Sequence, residues 1–406
     1  MALVELRTER IAAGGDSIGH LPDGRVVFVR GALPGELVSV ELTRERRDHA
    51  RATVTEVLEA APARREAPCR NVTRGCGGCS WQHVADAAQI GLKVDIVVDA
   101  LRRIAKFDDA VSMVRAGASV PPFGWRTTAR AAVHGSSAGF REHEGHRVCV
   151  TGACPVTHPR VSAVLDQGRF PGATEVLIRT SVATGHTVVV VDGPTKGVRV
   201  PELDGGLTLL GATDLTREVL GAIEDDVAGV RLRVSARSFF QSGPAAAEAL
   251  VAEVASALAG ADADALVDLY GGVGLFAATV GRTMDNVAVV EDSPTAVADA
   301  KFNLGSQAMV HRAPVEGWTP PRGVRRAKRV AVIADPARAG LGRDGVATVV
   351  GCTPQRLVLV SCDAASMARD IGLLRDGGYQ LRSATVLDLF PQTAHVEVVS
   401  VLEPQP

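Results

Sequence analysis

From about residue 237 onward, apolar strand-like runs alternate with helix-like segments, and this alternation constrains the fold more than any other feature of the chain. Ala245 to Leu258 reads as a helix, Ala265 to Leu269 as a strand, and Ala277 as a helix start. Val287 to Val290 reads as a strand, Pro294 to Leu304 as a helix, and Arg329 to Ile333 and Arg356 to Val360 as further strands. Strands separated by helices cannot pair as hairpins, so the expected product is a mainly parallel sheet with helices on both faces. Ligands of such sheets bind at the carboxyl ends of the strands.

The rest of the chain reads differently. Residues 1 to about 60 carry short strand signals, with Asp23-Gly24 as a hairpin turn before Val26 to Val29 and Leu33-Pro34-Gly35 as another before Val38, Val40 and Leu42. A small β-barrel is expected there. The run Arg44, Arg46, Arg47, His49, Arg51 falls between two of its strands, as a solvated loop or a phosphate contact. After a Pro/Ala-rich linker, Ala60 to Pro68, come three bunched cysteines and a helix from about Asp86 to Ile104, then a strand-rich stretch to about residue 236. That stretch holds Trp125, Arg126, Arg130, Phe140 and Arg141, a mixture suited to single-stranded RNA and equally to an ordinary sheet surface.

A chain of 406 residues suggests two or three domains. With 46% hydrophobic and 22% charged residues it has a globular balance, no run long enough for a membrane span, and no signal-like start, so the cytosol is the default and a membrane role is not expected. The net charge of −2 excludes a wholly basic nucleic-acid binder but not a locally basic one. Of the 44 basic residues only five are lysine.

Asp268-Leu-Tyr-Gly-Gly-Val-Gly274 follows the first strand of the alternating region and precedes a helix. Gly272 and Gly274 let the backbone approach a ligand closely, and Glu291, at the end of the next strand, can accept hydrogen bonds from two ribose hydroxyls. S-adenosylmethionine (SAM) and a dinucleotide both fit, but the turn departs from the GxGxxG pattern that accommodates a pyrophosphate, which favours SAM.

Seven cysteines in a cytosolic chain are not read as disulfides. Cys69, Cys76 and Cys79 supply three thiols on a short Gly-rich loop, and a metal group would need a fourth, with Cys149 and Cys154 both available mid-chain. Cys352 reads as a core residue. Cys362 ends the strand Leu357 to Val360, where a buried apolar cysteine and a nucleophile are both open readings.

Taken together, these residues resemble the bacterial RNA uracil-5 methyltransferases, particularly the 23S ribosomal RNA branch with a TRAM domain and an iron–sulfur cluster. The likeness runs through the barrel, the cysteine cluster, Ser238-Phe-Phe-Gln241, the Asp268 to Gly274 turn and Asp335-Pro-Ala-Arg-Ala-Gly340. It continues through Val360-Ser-Cys362, Ala368-Arg-Asp370 and Asp388-Leu-Phe-Pro-Gln-Thr-Ala-His-Val-Glu397. The resemblance implies an α/β chain: a TRAM-like, OB-type RNA-binding barrel over 1–60, a cluster-bearing central α/β domain over 61–236, and a Rossmann-like SAM-dependent methyltransferase domain over 237–406. It implies that Gln241, Tyr270, Gly272, Gly274, Glu291 and Asp335 form the SAM site, with Cys362 as nucleophile and Glu397 as base. It also places a [4Fe-4S] cluster on Cys69, Cys76, Cys79 and Cys154, with zinc as the alternative and Cys149 as a competing fourth ligand. The expected partner is RNA, ribosomal in preference to transfer RNA; no obligate protein partner is evident.

One departure stands out: the family has Asn-Pro after the nucleophile, where this chain has Asp363-Ala364. An ionised aspartate close to the thiol would raise its pKa. Two other functions compete. Methylation of an exocyclic amine is disfavoured because Asp335-Pro-Ala-Arg338 replaces the Asn/Asp-Pro-Pro-Tyr/Phe loop, while cytosine methylation also uses a cysteine. A non-catalytic RNA-binding protein would have no use for Cys362 and Glu397 together.

Overall fold

The computed structural model describes residues 3–143, 145–216 and 221–406, so Met1 and Ala2 of the expected barrel lie outside it. Five strands, Leu3–Ile11, Ser17–His20, Val26–Arg30, Leu37–Glu45 and His49–Glu59, close a barrel in the order first, second, third, fifth, fourth. Alternate residues Val27, Val29, Val38 and Val40 point into its small core, the period-2 pattern of a sheet with one buried face.

The Asp23-Gly24 turn makes the hairpin expected of it, with Ser17 to His20 paired antiparallel to Val26 to Val29. The Leu33-Pro34-Gly35 turn does not. The strand before it pairs in parallel with His49–Glu59, so this turn carries the chain across the barrel instead of folding it back. Turn residues dictate local backbone angles, and the choice of partner strand lies with the core. The basic run is likewise only partly a loop: Arg44 lies on the fourth strand, and His49 and Arg51 on the fifth.

The central part is a six-stranded, mostly antiparallel sheet running from Leu207–Leu210 at one edge to Val148–Val150 at the other. The C-terminal part is an eight-stranded sheet. Its strands stand in the order Met309–Arg312, Asn286–Glu291, Ala265–Leu269, Val330–Ala334, Arg356–Ser361, Glu397–Pro404, Tyr379–Asp388, Val114–Ser119. All are parallel except Glu397–Pro404, which is antiparallel to both neighbours. Every residue of Ala265–Leu269 and of Val330–Ala334 is buried, as strands covered by helices on both faces must be.

Val114–Ser119 comes from the stretch read as central, yet it forms the edge of this sheet, and the Asp86–Arg103 helix packs against it and against Tyr379–Asp388. The segment is excluded from the central sheet because its helix carries an apolar stripe, Ile96, Val97, Ala100 and Leu101, that the C-terminal sheet covers. No helix among the described residues is long and apolar enough to cross a membrane.

Candidate active site

Strand direction assembles the site. The parallel strands end at one edge of the sheet, with Tyr270 just after Leu269, Glu291 closing Asn286–Glu291, Asp335 after Ala334 and Cys362 after Ser361. Because Glu397–Pro404 runs the opposite way, it starts at the edge where the others finish. Its first residue, Glu397, thereby joins them, paired with Leu387 across the hairpin.

The glycine turn after Ala265–Leu269 is held by Glu291. Its Oε2 accepts from the Gly272 N–H at 3.0 Å and its Oε1 from the Ser293 N–H at 2.7 Å, which fixes the carboxylate while leaving lone pairs for a ligand. Gly272 and Gly274 have φ of 55° and 85°, a region closed to most side chains. Tyr270, at φ 60°, occupies the same region without that freedom, its hydroxyl donating to Glu316 at 3.0 Å. Gln241, Tyr270, Gly272 and Asp335 line one cleft together with Phe239 and Phe240. Gly274 and Glu291 are not among its lining residues, though Glu291 holds the lining Gly272.

The Ser238-Phe-Phe-Gln241 segment is tied down by Asp299, fully buried, which accepts from the Ser235 N–H at 2.8 Å and the Ser238 hydroxyl at 2.6 Å. That anchor leaves Phe239 73% exposed at the cleft, an uncommon position for a large apolar ring. Asp268 is buried beneath the turn, with one oxygen accepting from the Ala277 N–H at 3.2 Å and the other without a partner. Burial pushes its carboxyl up to about 8.

Cys362, Glu397 and Asp335 act on one another electrostatically. Burial, then the charges of Glu397 and Asp335, push the Cys362 thiol up to about 11, against a partial offset from Arg338. Burial lifts Asp335 to about 7. Glu397, 4% exposed, is held well above the usual carboxylate range by burial and then by Asp335, with Lys93 pulling the other way.

Asp363 is not among the groups that raise the thiol. Its carboxylate caps the Ala364–Asp376 helix, accepting from the Ser366 N–H at 2.8 Å. Asparagine and aspartate are equivalent helix caps, and proline and alanine both suit the first helical position, so Asp363-Ala364 preserves the backbone role of Asn-Pro. The side chain that the sequence places beside the thiol is thus engaged at the helix N-terminus.

Several residues inside the quoted motifs had no role assigned to them from the sequence. Asp370 accepts from the Leu341 N–H at 2.7 Å and the Gly342 N–H at 3.1 Å, bracing the loop that carries Arg338. Gln392, buried at φ 68°, ties the Glu397 loop to Gln89, Trp81, Arg65 and Asp86. His395 lies 3.2 Å from Arg338 Nη2, and burial, with that cation, holds its imidazole down at about 4.

The cysteines form a separate place. Cys69, Cys76, Cys79 and Cys154 line one small enclosed cavity together with Arg126, and Cys149 is not among its walls. Burial pushes Cys76 up to about 12 and Cys79 to about 11 and raises Cys154, with the neighbouring thiols adding to the effect. Among the described residues, no three His, Cys, Asp or Glu side chains gather closely enough to hold a metal ion. Of the basic residues expected on an RNA-facing surface, Arg130 pairs with Glu175 at 2.8 Å and Arg141 donates to the His146 carbonyl at 3.2 Å. Arg126 instead lies over the Trp125 ring at 4.9 Å.

Residues 3–55 match the TRAM domain family. Over its whole length the chain is similar to an RNA methyltransferase of Streptomyces avermitilis, 34% identical with 98% of each chain covered. It is also 32% identical to the 23S rRNA (uracil(1939)-C(5))-methyltransferase of Methylococcus capsulatus, with 97% of this chain and 96% of that one covered. The chain belongs to the RNA methyltransferase family. Its members use SAM, and the Gly-rich cleft at the strand ends is the part of this sheet that suits it. The family fold extends to the solved structure of the Pyrococcus abyssi tRNA (uracil-54, C5)-methyltransferase with S-adenosyl-L-homocysteine. There the TM-score is 0.71 at 22% identity, covering 98% of this chain and 99% of that one. The resemblance read from the sequence motifs is borne out at the level of the family, its SAM-dependent enzyme class and its RNA substrate.

Proposed function

We propose that this RNA methyltransferase methylates carbon 5 of uridine, with Cys362 as nucleophile, Glu397 as base, and Gln241, Tyr270, Gly272, Gly274, Glu291 and Asp335 forming the SAM site. The observation that carries the reading is the meeting of a thiol and a buried carboxyl, from strands of opposite direction, beside the Gly-rich cleft. Carbon 5 of uracil is a poor nucleophile, so the Cys362 thiolate first adds to carbon 6 and makes an enolate that is nucleophilic at carbon 5. SAM supplies the electrophilic methyl group. Glu397 then removes the carbon 5 proton, the carbon 5–carbon 6 double bond re-forms, and the thiolate leaves. Attack from above the ring requires the nucleotide to be rotated out of its stack, so loops and bulges are the preferred targets.

The RNA is 23S rRNA. The bacterial relative from Methylococcus capsulatus supports it, whereas the transfer-RNA neighbour is alike in fold alone. A single-turnover reaction with methyl-labelled SAM and 23S rRNA, digested to nucleosides, is expected to place the label in 5-methyluridine. Label in 5-methylcytidine or in an N-methylated base would overturn the reading.

Cys69, Cys76, Cys79 and Cys154 hold a [4Fe-4S] cluster. The fit is that of four thiols around one enclosed cavity, where burial and neighbouring thiols raise Cys76, Cys79 and Cys154, a field that bound cations relieve. Anaerobically purified protein is expected to be brown with about four irons per chain. Cys154→Ser should lose the colour and Cys149→Ser keep it; a colourless protein with stoichiometric zinc decides for the alternative.

A further inference from the structure

Lysine is scarce in this chain, and one of its five lysines, Lys93, is completely buried. It sits in the apolar stripe of the Asp86–Arg103 helix, one turn after buried Gln89 and one before Ile96 and Val97. A buried ammonium is tolerated only when paired, and Nζ donates to Asp388 Oδ1 at 2.6 Å and to the Phe390 carbonyl at 3.1 Å. For stability alone, apolar residues of similar volume would serve this position at least as well as a buried ion pair. Its partners mark where it acts. Asp388 ends one strand of the hairpin whose other strand begins at Glu397, and Phe390 lies in the loop between them.

We propose that Lys93 is a positioning residue for the elimination step, fixing the hairpin mouth through Asp388 and Phe390 and presenting a positive charge to the Glu397 carboxylate. The proposal rests on Glu397 being the base. The ionisable groups around that carboxyl are Asp335 and Cys362 from the neighbouring strand ends, Lys93 from the helix, and Asp388 and His395 from the hairpin and its loop, with Arg338 and Arg126 bearing on His395. Of the charges that act on Glu397, Asp335 opposes its ionisation and Lys93 favours it. Removing the ammonium therefore raises the pKa of the base and moves its working range to higher pH.

The test follows breakdown of the covalent protein–RNA adduct in full-length enzyme, on denaturing gels, with a uridine-bearing RNA hairpin and SAM. For Lys93→Met, breakdown near neutral pH is expected to slow by about tenfold while adduct formation continues, and about one pH unit upward should restore it. Lys93→Met alone leaves Asp388 buried without its partner and loses thermal stability. The double variant Lys93→Met with Asp388→Asn removes both charges, so it regains stability but keeps the alkaline shift. A double variant with the parent pH profile would show that Lys93 serves only to neutralise Asp388, and would overturn the proposal. Glu397→Gln is the control that separates the two levels: if it traps no adduct, the base is another residue and both readings fall. If it traps adduct while the lysine variants keep the parent profile, only this inference falls.

Discussion

Cys362→Ala is expected to lower methyl transfer by roughly 10⁴-fold or more, because without addition to carbon 6 nothing makes carbon 5 nucleophilic. SAM affinity should change by no more than about twofold, since the thiol is not part of the cleft lined by Gln241, Tyr270 and Asp335. Single-turnover labelling and equilibrium dialysis measure the two quantities; product at the parent rate would remove Cys362 from the chemistry. The pH dependence carries a sign of its own. With the thiol pushed up to about 11, only roughly one in ten thousand is ionised at pH 7, so adduct formation should climb about tenfold per pH unit from neutrality. Alkali favours the reactive form here, whereas a thiol paired with a cation is already largely ionised at neutral pH and gains little from it.

Glu397→Gln is expected to stop turnover at a later point. The amide matches the carboxyl in size but cannot take the carbon 5 proton, so methyl transfer proceeds and the thioether to carbon 6 cannot be expelled. The enzyme should accumulate as a denaturant-resistant complex carrying about one methyl group per RNA, with multiple turnover down by on the order of a thousandfold. A gel with no slow-migrating band would assign the base elsewhere. Together the two substitutions divide the reaction at the adduct, one preventing its formation and the other its release.

The legible parts of the chain were those where one physical requirement dominates. Strands such as Ala265–Leu269 and Arg356–Ser361 are buried on both faces, so their apolar runs stand out, and the residues just beyond them are where ligands of a parallel sheet must bind. Val114–Ser119 has no such mark. Only Val114 is buried, and the segment is a strand because the edge of Tyr379–Asp388 accepts it. Lys93 was hidden for the opposite reason: helical spacing placed it on a helix, but nothing in the sequence reveals that Asp388, almost three hundred positions later, faces it. Asp363 was read by its charge when its position, three residues before Ser366, also fits a helix cap. Neighbours in sequence suggest electrostatics, while backbone geometry decides where a carboxylate points.

The pairing of Val114–Ser119 with Tyr379–Asp388 also bears on how the protein is made. Ser119 meets Asp388, about 270 positions later, so the Asp86–Arg103 helix and its apolar stripe leave the ribosome long before the sheet that covers them exists. At ~5–20 residues per second the nascent chain carries an unsatisfied strand and an uncovered greasy helix for on the order of tens of seconds. The barrel can close at once from its own local contacts, but the eight-stranded sheet stays incomplete at one edge until Tyr379–Asp388 and Glu397–Pro404 are made. A chain halted before residue 379 thus lacks Glu397, the proposed base, and also exposes the surfaces most prone to stick to other chains, which ties assembly of the sheet to synthesis of its Tyr379–Asp388 and Glu397–Pro404 strands.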